Sequence, residues 1–83
     1  MDAAEETLAV ARVRAWLRTG RARAVREQAR LSQSDVARVV GTDTSRVSRW
    51  EAGKAVPHRG SALVLARLYD ELERLAADGE ARA

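Results

Sequence analysis

The chain has no cysteine and no phenylalanine, and only one histidine, one proline, one tyrosine and one lysine. Without cysteine there is no disulfide and no thiolate metal site. With His58 as the lone histidine and the carboxylates scattered, neither a metal ligand set nor a nucleophile–base pair can be assembled. No catalytic site, metal or cofactor is therefore expected. No apolar run approaches the roughly 20 residues that span a bilayer. The start, Met1-Asp2-Ala3-Ala4-Glu5-Glu6, is acidic, unlike a secretory signal. A cytoplasmic protein without a membrane partner is expected. Eighty-three residues make one small domain. Much of its 46% apolar content is alanine, so the core must come from Leu, Val and the two tryptophans. A core this modest leaves room for stabilisation by a second copy.

The net charge of +3 is unevenly spread. Residues 1–20 hold three basic and three acidic groups, residues 21–59 nine and four, and residues 60–83 three and five. The middle of the chain is thus the basic part, which favours a polyanionic partner if those charges share a face.

That basic middle contains the most regular pattern in the sequence. Val36, Ala37 and Val40 precede Gly41, and Val47 and Trp50 follow it, at helical spacing on both sides. Ser32 and Asp35 make a weakened capping box before the first helix of the pair. Gly41 supplies a left-handed end to it, and Thr42 or Asp43 caps the second, which runs to about Trp50 or Glu51. Gly53-Lys54 closes that helix and Pro57 forbids its continuation. Two short amphipathic helices on one glycine read as a helix-turn-helix. The outer positions of the second helix, Thr44, Ser45, Arg46, Ser48 and Arg49, carry hydroxyls and guanidiniums that suit phosphates and base edges. The glycines form no phosphate-cradling motif.

Around this pair the chain also reads as helix. Ala4 to Arg18 contains neither Gly nor Pro and has Leu8, Ala11 and Ala15 on one row beside Val10, Val13 and Leu17. Thr19 is a plausible cap for a helix running to about Ala29 with Ala22, Val25 and Ala29 inward, unless that helix continues the first. Ser61 can cap a last helix to about Ala77. Its Leu65, Leu68, Leu72 and Leu75 follow 3-4-3 spacing, which fits equally a dimer seam or packing on the domain's own core. The expected class is all-α: a compact bundle of about five helices. The expected organisation is an N-terminal helical extension at 1–19, a helix-turn-helix DNA-binding domain at 20–77 and a frayed tail at 78–83.

The segment 26–57, with Leu31-Ser32-Gln33, Val36-Ala37, Gly41, Val47, Trp50-Glu51, Gly53 and Pro57, resembles the phage repressor and Cro-type (xenobiotic-response-element) helix-turn-helix family. The resemblance implies a lambda-repressor-like fold and places Thr44, Ser45 and Arg49, with Ser48 at the rim, against base edges in the major groove. Arg49 is the strongest reader, because a guanidinium can bond guanine O6 and N7 together. Gln33 at a helix N-terminus, Arg46, Lys54 and Arg59 are expected on phosphates. Glu51 matches an acid that pairs with an arginine in the family's first helix, here Arg26, so an Arg26–Glu51 salt bridge is expected. The chain departs from the pattern at Ala52, often Asn; at Thr42, usually apolar; and at Arg30, commonly Gly.

What the resemblance implies is a sequence-specific, repressor-like transcriptional regulator of nucleoid location, binding double-stranded DNA as a homodimer on a palindromic operator. The alternative is an antitoxin or an adaptor to the transcription machinery, whose main partner is a protein. It depends on whether the apolar face of the N-terminal helix is left open.

Overall fold

Asp2 starts the first helix by accepting the Glu5 N–H at 2.8 Å. The structure, a computed structural model, describes residues 1–82, with side chains through Glu80. Five helices follow in order: α1 (Ala3–Thr19), α2 (Arg21–Gln28), α3 (Gln33–Val40), α4 (Thr44–Glu51) and α5 (Arg59–Arg82). The described residues contain no strand, as the all-α expectation requires.

The caps explain the breaks. α1 and α2 are separate helices because Gly20 sits at φ 86°, where a Cβ would be strained. Thr19 lies in α1 and does not cap α2. Ser32 and Asp35 form a reciprocal capping box at α3, with N–H···O distances of 3.0 and 2.8 Å. Gly41 ends α3 at φ 83°, and Asp43 then caps α4 by accepting the Arg46 N–H at 2.7 Å. The start of α5 differs from the expectation. His58, not Ser61, is the capping residue: its Nδ1 accepts the Ser61 N–H at 3.3 Å and its carbonyl accepts from Ala62 at 2.9 Å. The helix therefore begins at Arg59. It continues through 78–82; Ala83, the end of the expected tail, lies outside the described residues.

One core draws on every helix. Ala9, Val10, Val13 and Leu17 from α1 pack with Leu65, Ala66, Tyr69 and Leu72 from α5, and Val36, Val47 and Trp50 fill the angle between α3 and α4. Each large side chain buried this way contributes on the order of 1.5–3 kcal/mol. The apolar stripe of α1 is rotated from the expected one: Leu8 and Ala11 are exposed and Ala9 is buried. The small Ala9 and Ala66 are both buried where α1 and α5 pack together. Ala29, expected inward, is exposed. Of the leucine row on α5, Leu65 and Leu72 are buried and Leu68 is half-buried against the core; Leu75 is exposed.

Polar ties join α1 to α5 along the outside. Arg12 bonds both carboxylate oxygens of Asp70 at 3.0 Å, and Arg59 reaches Glu6 at 3.2 Å. At the start of α2, Arg21 bonds Glu73 and lies 5.3 Å over the Trp16 ring, which in turn sits 6.0 Å from Tyr69. The ion pairs are half-exposed and each contributes no more than about 1 kcal/mol. No helix among the described residues is long and apolar enough to cross a membrane.

Candidate nucleic-acid interface

α4 has two faces with different chemistry. Val47 and Trp50 point into the core, and Thr44, Ser45, Ser48 and Arg49 are exposed. Residues three and four apart share a helix face, so 44, 45, 48 and 49 make one contiguous polar surface over two turns. Arg46 is exposed beside it. The Oγ1 of Thr44 lies 3.0 Å from the Oγ of Ser34 on α3, one hydroxyl donating to the other. Thr44 is thereby held against the neighbouring helix by a residue that nothing in the local sequence marks as part of the site.

Behind this surface lies a buried polar cluster. Arg26 of α2 donates from Nε and Nη2 to the two oxygens of Glu51 at 2.7 and 2.8 Å, and from Nη1 to the Leu31 carbonyl at 2.9 Å. The two side chains are 9% and 3% exposed. Burial alone would push the Glu51 carboxyl up. The hydrogen bonds from Arg26 and Gln33 and the Arg26 charge outweigh burial and hold it below the usual range. The hydrogen bond to Glu51 likewise raises the Arg26 pKa against the opposing effect of burial. No buried side-chain polar atom among the described residues lacks a partner.

The residues expected at phosphates are disposed differently from one another. Gln33 is the first residue of α3, half-buried, and its Nε2 donates to Glu51 at 3.0 Å. That bond uses one of its two amide hydrogens and leaves the other, with the carbonyl, available. Lys54 is exposed in the turn after α4, whose backbone is closed by its N–H on the Arg49 carbonyl at 2.9 Å. Arg59 bonds Glu6 from Nη2 at 3.2 Å and stays half-exposed, with its remaining donors unspent. His58, beside it, is occupied in capping α5.

The loop between α4 and α5 brings in two further cations. Arg14 donates to the Pro57 carbonyl at 3.3 Å. Arg14 and Arg18 line a concavity of about 300 Å³ with Leu17, Trp50, Val56 and Pro57. At the same loop, Arg46 and Arg49 line a separate, shallower one with Val56 and His58. The i, i+4 spacing of Arg14 and Arg18 is visible in the sequence, but the direction of that face is set by how α1 packs on α5.

A family model described as a helix-turn-helix domain matches residues 19–79. No curated protein and no solved structure gives a match.

Proposed function

The chain belongs to the helix-turn-helix domain family, and from that premise we propose that it is a sequence-specific, repressor-like regulator of the Cro type that binds double-stranded DNA. The observation that carries this reading is the exposed face of α4, with Thr44, Ser45, Ser48 and Arg49 presented together and Val47 and Trp50 anchoring its back. A rigid helix with short hydroxyls in its first turn and a guanidinium one turn later suits the major groove, where arginine distinguishes guanine from the other bases. Gln33, Arg46 and Lys54 flank that face and serve the phosphates, which set register without reading sequence.

One such helix reads only a few base pairs. Two copies on a palindrome, with half-sites about one helical turn apart, give an operator-grade preference, and the chain acts as a homodimer. Leu65, Leu68 and Leu72 are already committed to the chain's own core, so the leucine row is not free to serve as the dimer seam. A main role in binding a protein, as an antitoxin or adaptor, draws on an open apolar face of α1. Ala9, Val10, Val13 and Leu17 of that face are in the core.

The test is selection from a randomised duplex library, followed by titration of the selected duplex and a scrambled one. A palindromic consensus, bound at least about a thousandfold more tightly than the scrambled duplex, supports the proposal. Failure to enrich any sequence rules out a sequence-specific reader.

A further inference from the structure

The cations of this protein sort into two groups. Arg12, Arg21, Arg23, Arg26, Arg59 and Arg74 each lie on a carboxylate. Among the described residues eight cations have no carboxylate partner, and five of them, Arg14, Arg18, Arg46, Arg49 and Lys54, gather around the α4–α5 loop. Arg46 and Arg49 line one hollow at Val56 and Pro57, and Arg14 and Arg18 line a second that shares those two residues. Acidic groups are abundant on α5, yet Asp70, Glu71 and Glu73 are paired with Arg12, Arg74 and Arg21. Like charges gathered without counter-charges repel one another, and a polyanion laid across them removes that repulsion.

We propose that Arg14 and Arg18 form a second row of DNA phosphate contacts, on the helix that precedes the helix-turn-helix. This rests on the DNA-binding reading above and extends its footprint across the loop to the backbone flanking the segment that α4 reads. Arg14 spends one N–H on the Pro57 carbonyl, which fixes its stem beside the loop and leaves the rest of its five donors free. The Arg18 side chain makes no hydrogen bond or ion pair among the described residues and stands one turn further along the same face of α1. Neither is aimed at bases. Their contribution is affinity, salt dependence and register, with no effect on which sequence is preferred.

The experiment uses the full chain and the duplex selected for it, with binding measured across salt concentrations. Each lost phosphate contact on B-DNA lowers the slope of log K against log salt by about 0.9. Arg14→Gln with Arg18→Gln is expected to lower it by about 1.8 per protomer, about 3.6 for the homodimer, to remove the outermost phosphates from the ethylation-interference footprint and to leave the preference for the selected over the scrambled duplex unchanged. Arg18→Gln alone, which disturbs no side-chain bond in the fold, is expected to lower it by about 0.9 per protomer, about 1.8 for the homodimer. Arg23→Gln, whose partner is Glu27 on its own helix, is the control and keeps the parent slope. An unchanged slope and footprint in both variants, with the parent still binding its duplex, overturns the second row and leaves the α4 reading intact. A parent that binds no duplex overturns both.

Discussion

The side-chain amide of Gln33 donates to Oε1 of Glu51 at 3.0 Å, so the first residue of α3 is bonded to the last residue of α4. The same oxygen accepts from Arg26 at 2.8 Å. One carboxylate therefore ties three helices, and the angle at which α4 stands from α3 is fixed by a polar brace as well as by Val36, Val47 and Trp50.

Removing one side of that brace strands the other. Glu51→Ala leaves a buried guanidinium without its counter-charge and should destabilise the fold by about 3 kcal/mol or more. That is a large share of the roughly 4–12 kcal/mol expected for a domain of this size. Arg26→Met combined with Glu51→Leu should cost less than Glu51→Ala alone, because no charge is left buried. Urea unfolding of the three proteins decides it. A double variant less stable than Glu51→Ala would mean that the pair is a net stabiliser rather than a matched liability.

Acid should weaken the fold through the same carboxylate. The Glu51 carboxyl is held below its ordinary value of 4.5 in the folded chain. The Asp35 carboxyl is also lowered, first by the Ser32 backbone hydrogen bond and then by the Ser32 hydroxyl. The unfolded chain then binds protons more readily than the folded one. The stability these groups contribute is present above about pH 4.5 and is lost as pH falls through their folded values. Glu51→Gln should show a shallower loss of stability below pH 4.5 than the parent. Parallel acid limbs in thermal melts would exclude Glu51 as a source of the pH dependence.

Arg30 holds φ 58°, the one non-glycine at positive φ among the described residues. Left-handed backbone costs an ordinary residue about 1–2 kcal/mol. Arg30→Gly should relieve that, less about 0.4–1 kcal/mol for the freer unfolded chain. The net gain is on the order of 0.5–1 kcal/mol, a rise of several degrees in Tm. Gly41→Ala, at φ 83° with open space around its Cβ position, should lose about 1–2 kcal/mol from backbone strain alone. Calorimetry giving both changes the same sign would contradict the strain argument.

Specificity and affinity should separate on the proposed interface. Arg49→Ala should relax selection at one base position by about 1–3 kcal/mol, and Arg49→Lys should not restore it, because an ammonium lacks the paired donors. Lys54→Ala should weaken selected and scrambled duplexes alike and lower the salt slope by about 0.9 per protomer bound. Repeating the duplex selection with each variant separates the two effects. An Arg49→Ala protein that enriches the parent consensus unchanged would place the reading residues elsewhere.

What was legible in the sequence was local. The Ser32–Asp35 box, the Gly41 turn, the Asp43 cap and the inward Val47 and Trp50 depend on residues within one or two turns, and the structure has them where the spacing put them. The Arg26–Glu51 pair spans 25 residues and was reached only through the family resemblance. α5 starts ahead of Ser61 because a histidine takes the capping position that Ser61 fits by type. The stripe on α1 was misphased because periodicity fixes a face only to within a row, and contact with α5 selects Ala9 over Leu8. The leucine row on α5 continues to Leu75, past the point where the core it packs on ends. Arg14, Arg18 and Ser34 gained their places from contacts between helices, which no pattern within one helix contains.

The pairing of α1 with α5 also sets the order in which the molecule can assemble. α3 and α4 meet across a turn of a few residues, a closure that takes microseconds or less. Contacts such as Arg12–Asp70 join residues 58 apart, and closing that loop costs about 1.5 kcal/mol more in chain entropy than closing a ten-residue one. Val47 and Trp50 belong to a single core that also needs side chains of α1 and α5, so the early hairpin has no finished core to rest on. The polar face of α4 is then held rigid only once the end of the chain has come back to its beginning, in a single late and cooperative step.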